Sequence, residues 1–143
     1  MNMNKFGFIS LGLIGGSIAL AIRQICPDAQ IIACARRQST LDEALAAGAI
    51  DAGTTEINDL FADCDMIFLC APVAVNNRFL EKLKPFLSEK TIITDVGSVK
   101  GSIHEAVSRL GLDSCFIGGH PMAGSEKTGF ANANPILLEN AYY

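Results

Sequence analysis

FISLGLIGGS, residues 8–17, runs an apolar stretch straight into a glycine cluster, and a second apolar stretch, Ile18–Ile22, follows at once. Lys5–Ser10 reads as a short buried strand and Ile14–Gln24 as a helix, so the glycines fall on a strand-to-helix turn. At such a turn Gly12 lets the backbone approach a pyrophosphate and Gly15 allows the helix to pack closely on the strand. The helix N-terminus adds free N–H groups and the positive end of its dipole. The turn from Ser10 through Gly12, Leu13 and Ile14 to Gly15 is therefore shaped for the diphosphate of a dinucleotide. Gly16 and Ser17 extend the small-residue surface, with the Ser17 hydroxyl placed to reach a phosphate oxygen. Ser10 stands where the usual fingerprint has its first glycine. Serine suits that turn unless a positive φ is demanded, and the expectation is a slightly altered loop that still binds.

Outward from the turn, Pro27-Asp28 forms a loop before a second strand, Gln30–Ala35, which completes a βαβ unit. Ser39-Thr40 are suited to cap a helix over Leu41–Ala47, with Glu43 as capping-box partner and Gly48 as its end. A short strand at Ile50–Ala52 and a brief helix at Ile57–Phe61 follow. Asp65–Cys70 is the clearest central strand, bounded by Ala71-Pro72, and leads to a helix over Val75–Leu83. Thr91–Asp95 is the next strand, Lys100–Leu110 the next helix, and Cys115–Gly118 a last short strand. This alternation predicts a Rossmann-type α/β fold: a doubly wound, mostly parallel sheet with helices on both faces, forming one dinucleotide-binding domain over 1–143.

Composition excludes several other classes. Of the 143 residues half are hydrophobic, enough for a substantial core, and the net charge of −4 leaves no basic stripe for a nucleic acid. Five cysteines without CxxC spacing read as reduced thiols of a cytoplasmic protein, and the two histidines, His104 and His120, form no metal set with them. Lys5, the apolar run and Ala19-Leu20-Ala21 imitate a secretory signal, but the glycines weaken the helix a signal needs. The run is also too interrupted to span a bilayer.

The end of the second strand bears on which dinucleotide fits. An NAD site favours an acidic residue about twenty positions beyond the fingerprint, where it accepts hydrogen bonds from the ribose hydroxyls. Here the position is Ala35, followed by Arg36 and Arg37. A small neutral residue followed by guanidinium groups suits a 2′-phosphate, so NADP is favoured over NAD.

Two further segments, DVGSVK (Asp95–Lys100) and GGHPMAGSE (Gly118–Glu126), follow strands and so belong at the carboxyl edge of the sheet. His120, in a Gly-Gly-His-Pro context, suits neither a core helix nor a core strand. Ser98 is suited to a helix N-cap as well as to a site, Glu126 to a solvated loop, and Asp95 to bracing its turn. Lys100 has no assigned part.

The combination of GLIGGS, CAPV, TDVGSVK and IGGHPMAGSE resembles the prephenate/arogenate dehydrogenase family of tyrosine biosynthesis along practically the whole chain. The resemblance implies an NAD(P)-linked oxidation of the ring hydroxyl of prephenate or arogenate, with loss of the ring carboxylate. It implies His120 as proton acceptor and Ser98 as a hydrogen-bond partner of the substrate hydroxyl that helps orient His120. Ser125 and Glu126 would line the substrate pocket, and Cys70, Ala71 and Pro72 would pack against the nicotinamide side of the cofactor. Family members continue into a helical domain that dimerises and supplies a carboxylate-binding arginine. The chain ends at Asn140–Tyr143, where a further strand is expected to start, so that domain is expected to be absent and turnover by the chain alone weak. The alternatives are another β-hydroxyacid-type dehydrogenase and an NADP-binding module without turnover.

Overall fold

The computed structural model describes residues 2–143. Six parallel strands form one sheet in the order β3-β2-β1-β4-β5-β6. These are β1 (Lys5–Ile9), β2 (Gln30–Cys34), β3 (Ala52–Thr54), β4 (Met66–Leu69), β5 (Ile92–Asp95) and β6 (Phe116–Ile117). The helices are α1 (Leu13–Ile25), α2 (Gln38–Ala46), α3 (Val73–Leu83) and α4 (Gly101–Leu110).

The apolar runs are continuous rather than alternating because both faces of the central strands are buried. Phe8, Ile31, Ala33 and Phe68 point into the core that also holds Ile18 and Leu41 of α1 and α2. Ile9, Ile32, Ile67 and Leu69 point the other way, onto Leu80 and Leu83 of α3 and Ile103 of α4. The strand order reverses direction between β1 and β4, the switch point at whose carboxyl edge open α/β sheets bind ligands.

Several boundaries differ from the sequence reading, each for a physical reason. Helix α2 begins at Gln38 with Arg37 as N-cap, and no side chain caps it, so neither Ser39 nor Thr40 serves as the cap. Gly48 follows the end of this helix at φ 70°, as expected. Strand β3 starts at Ala52 because Asp51 is spent on a turn: its N–H donates to the Ile31 carbonyl and its carboxylate accepts from the Ile31 N–H and Arg23. Ile50 is apolar because that turn is buried, not because it lies in a strand. The brief helix after it is a single 3₁₀ turn, Asp59–Phe61, capped by the Asn58 side chain.

The carboxyl-terminal segment carries 3₁₀ turns at Phe130–Asn132 and Pro135–Leu138 that the sequence reading lacked. Where a strand was expected to start, Asn140 adopts φ 59° and breaks the extended run. A backbone bond, Met122 N–H to Tyr142 carbonyl at 2.7 Å, joins that stretch to the Pro121 loop.

Candidate functional site

Ser10, just after β1, is held with φ 76°. The turn therefore demands the positive φ that serine tolerates poorly, which is the exception named in the sequence reading. Its N–H donates to the Cys34 carbonyl at 2.8 Å, which ties the turn to the end of β2.

The two fingerprint glycines are needed for different reasons. A Cβ on Gly15 would lie 2.7 Å from the Ser10 carbonyl oxygen and 3.0 Å from Cys70 Cβ, so Gly15 is the close contact of helix on sheet. A Cβ on Gly12 would meet nothing within 4 Å; its outer side is open cleft. Gly12 is the N-cap of α1 and carries no side-chain cap. The first intrahelical bond is Gly16 N–H to Gly12 carbonyl, which leaves the amides of Leu13, Ile14 and Gly15 without helical partners at the helix start.

Ser17 does not reach this opening. It is fully buried, its hydroxyl donating to the Leu13 carbonyl at 2.6 Å and accepting from the Asn134 N–H at 2.9 Å. Gly16 is small for the same neighbour: a Cβ there would lie 2.7 Å from the Phe130 ring. The 128–139 segment thus straps onto the first turns of α1.

A cleft of about 530 Å³ opens over the ends of β2, β1 and β4, walled by Ser10, Gly12, Ala35, Arg36, Arg37, Ala71 and Pro72. Leu13, Ile14, Gly15 and Cys70 are not among its walls; Gly15 and Cys70 pack on each other under the turn. Burial pushes the Cys70 thiol well above its ordinary range, so it is a protonated packing group. Leu11, Cys34, Thr40, Thr55, Val75, Phe79, Gly129 and Phe130 complete the walls and were missed from sequence. Val75 and Phe79 carried a signal: an apolar i, i+4 pair on α3 outside the buried set Asn76, Leu80 and Leu83. For Gly129 and Phe130 there was none, because only the strap brings them to the cleft.

Arg36 and Arg37 are both exposed, and none of the ion pairs Arg23–Asp51, Lys100–Asp95 and Arg109–Glu81 uses them. Their placement at the uncapped start of α2 adds that helix's positive end to two guanidinium charges. A dinucleotide fits this donor set: an open glycine edge, helix-start amides for a diphosphate, and cations at the far end for a further phosphate.

The second cluster lies beside the cleft, over β5 and β6. The end of β5 is pinned to β4 by Val96 N–H to Leu69 carbonyl, and a Cβ on Gly97 would lie 2.7 Å from Val73 at the start of α3. His120 is exposed, and its Nδ1–H donates to the Val96 carbonyl at 3.3 Å. A carbonyl can only accept, so the neutral ring keeps its lone pair on Nε2.

Ser98 is exposed in the same loop, and the ring bond to His120 comes from Val96 rather than from Ser98. Nor is Ser98 a helix cap, since α4 starts at Gly101 with Lys100 as N-cap. The Ser125 hydroxyl accepts from the Lys127 N–H at 3.1 Å in a local turn, and Glu126 is exposed beside it. Asp95 braces its turn as expected, its carboxylate accepting from Gly97 N–H and Lys100 Nζ. Among the described residues no cluster of His, Cys, Asp or Glu is arranged to hold a metal, and no helix is long and apolar enough to cross a membrane.

The chain matches the family described as prephenate dehydrogenase, nucleotide-binding domain, over residues 18–143. It is 40% identical over 144 residues to a prephenate dehydrogenase of Lactococcus lactis subsp. cremoris, covering 99% of this chain and 40% of that protein. It is 38% identical to a prephenate dehydrogenase of Bacillus subtilis, covering 93% of this chain and 36% of that one. Among solved structures it aligns with the Aquifex aeolicus prephenate dehydrogenase in complex with hydroxyphenyl propionate and NAD+ at TM-score 0.91 and 32% identity, over 99% of this chain and 49% of that one. It aligns with the Synechocystis arogenate dehydrogenase at TM-score 0.87 and 40% identity, over 96% of this chain and 48% of that one. The chain therefore spans about two fifths of the length of the curated relatives it matches.

Proposed function

This chain belongs to the prephenate dehydrogenase family, matching its nucleotide-binding domain, and from that premise we propose that it is the dinucleotide-binding part of an oxidoreductase that oxidatively decarboxylates prephenate or arogenate in tyrosine biosynthesis. A bound nicotinamide dinucleotide supplies the hydride acceptor. The amides of Leu13, Ile14 and Gly15 at the start of α1 would hold its diphosphate, and Arg36 and Arg37 would hold a 2′-phosphate, which favours NADP over NAD.

His120 Nε2 takes the proton of the substrate's ring hydroxyl as hydride leaves the same carbon. The ketone so formed drops its ring carboxylate as CO₂ because the ring becomes aromatic. Ser98 hydrogen-bonds the same hydroxyl, and Ser125 and Glu126 line the substrate side. The observation that carries this reading is the His120 ring, fixed through Nδ1 with Nε2 left to accept, on a loop beside a cleft that fits a dinucleotide. The free cysteines suit a reducing cytoplasm, and a homodimer is the expected assembly of the full-length enzyme.

Binding without turnover is the second reading for residues 1–143 taken by themselves, because they match the family's nucleotide-binding domain. Losing groups that orient substrate costs several powers of ten in rate. The test is turnover with prephenate and with arogenate, for this chain and for a form continued to the relatives' length, each with and without His120→Asn. The reading predicts little turnover by the short chain, robust turnover by the long one, and near-complete loss on His120→Asn. A long His120→Asn enzyme at wild-type rate removes His120 from the chemistry.

A further inference from the structure

We infer that Lys100 and Asp95 form a clasp that positions His120, fixing its backbone and, through Val96, the tautomer of its ring. This rests on the assignment of His120 as proton acceptor and adds the groups that hold it.

The Gly119 residue just before His120 is gripped on both sides. Its N–H donates to Asp95 Oδ1 at 3.3 Å, and its carbonyl accepts from Lys100 Nζ. The same ammonium donates to Asp95 Oδ2 at 2.7 Å and to the Gly97 carbonyl at 2.5 Å. One lysine therefore joins the loop after β5 to the loop after β6, using all three of its donors.

The carboxylate beneath it is 1% exposed and the lysine 27%. A carboxylate so enclosed requires its cation, so the lysine is not free to swing to solvent. Val96, next in sequence to Asp95, supplies the carbonyl that holds the His120 ring. Backbone and ring of His120 thus answer to a single short stretch at the end of β5. On the other side, the Tyr143 hydroxyl donates to the Asp95 carbonyl at 2.9 Å and shares a hydrogen bond with Thr94 Oγ1. The Asp95 side chain is left to the clasp and to the Gly97 N–H of its own turn.

The arrangement predicts more than stability. Lys100→Met frees the Gly119 carbonyl and leaves the carboxylate unpaired, so the loop shifts and the His120 ring loses its fixed partner. Because that variant risks misfolding, a double variant, Asp95→Asn with Lys100→Met, removes both charges and keeps the shapes.

The readout is the ring tautomer of His120 in this chain, by long-range proton–nitrogen correlation spectra at about pH 9, where an imidazole is neutral, alongside the melting temperature. The wild type should show the Nδ1–H form predominating. In folded Lys100→Met or in the double variant the ring should relax to the tautomer mixture of a free imidazole, with displaced amide signals at Gly119 and His120. A wild-type ring protonated on Nε2 would overturn the inference. So would a folded variant that melts earlier with its ring unchanged, since the pair would then be structural only. The spectra need no turnover, so they succeed or fail independently of the substrate assays.

Discussion

At the residue scale the glycine turn was legible in function and partly illegible in geometry. The spacing of Gly12 and Gly15 announced a diphosphate turn, but φ at Ser10 is a property of the folded loop that serine's presence conceals. Ser10→Gly should relieve about 1 kcal/mol of left-handed strain, partly offset by glycine's greater unfolded-state freedom. The expected result is a rise in melting temperature of no more than about 2 °C with cofactor binding intact. Gly12→Val and Gly15→Ala should separate cleanly. Gly12 has φ −85° and open space on its Cβ side, so the valine should leave apo melting unchanged and abolish dinucleotide binding. The alanine at Gly15 collides with the Ser10 carbonyl and Cys70, and should cost about 1–3 kcal/mol by denaturant unfolding. Ser17 misled for a similar reason: a small polar residue beside the turn looks like a phosphate ligand until its hydroxyl is found tied to Asn134. The thiols follow burial. Cys64 is pushed up to about 12 by burial while Cys26 is exposed, so a disulfide reagent at neutral pH should label Cys26 rapidly and Cys64 only on unfolding.

At the scale of elements, the four helices and strands β1, β2, β4 and β5 were legible, because each buries an apolar stripe or run whose period survives in the sequence, whereas β3 was misplaced because Ala52–Thr54 buries no such run. What escaped was the start of α2 and the 128–139 strap. Ser39-Thr40 look like caps by local chemistry, yet the helix starts earlier because Arg37 is already extended at φ −109° and ψ 131°. The consequence is functional, since Arg36 and Arg37 stand at a helix N-terminus. Arg36→Ala should remove most of an NADP-over-NAD preference of about 1–3 kcal/mol while leaving NAD binding nearly unchanged, measured by calorimetry. The strap has no periodic signature because it is held by individual contacts, Phe130 on Gly16 and Asn134 on Ser17. Ser17→Ala removes the hydrogen-bond partner of the Asn134 N–H and should cost about 0.5–1.5 kcal/mol. Amide exchange at Asn134 should accelerate before that of the α1 core.

At the scale of the whole molecule, the sheet order places two chemistries side by side along one edge: a cleft for a dinucleotide over β2, β1 and β4, and the His120 loop over β5 and β6. Strand alternation and motif position made that convergence legible. The ties that fix it, from Lys100 to Gly119 and from Val96 to His120, were not, because they join residues about twenty apart through backbone carbonyls that have no letter in the sequence. Calorimetric titration of this chain with NADP+ and NAD+ measures most directly whether the cleft holds a phosphate-rich dinucleotide. One site per chain is predicted, with NADP+ binding about tenfold or more tightly than NAD+, the effect of a single charge-assisted phosphate contact. Failure of a folded chain to bind either dinucleotide at millimolar concentration would contradict it.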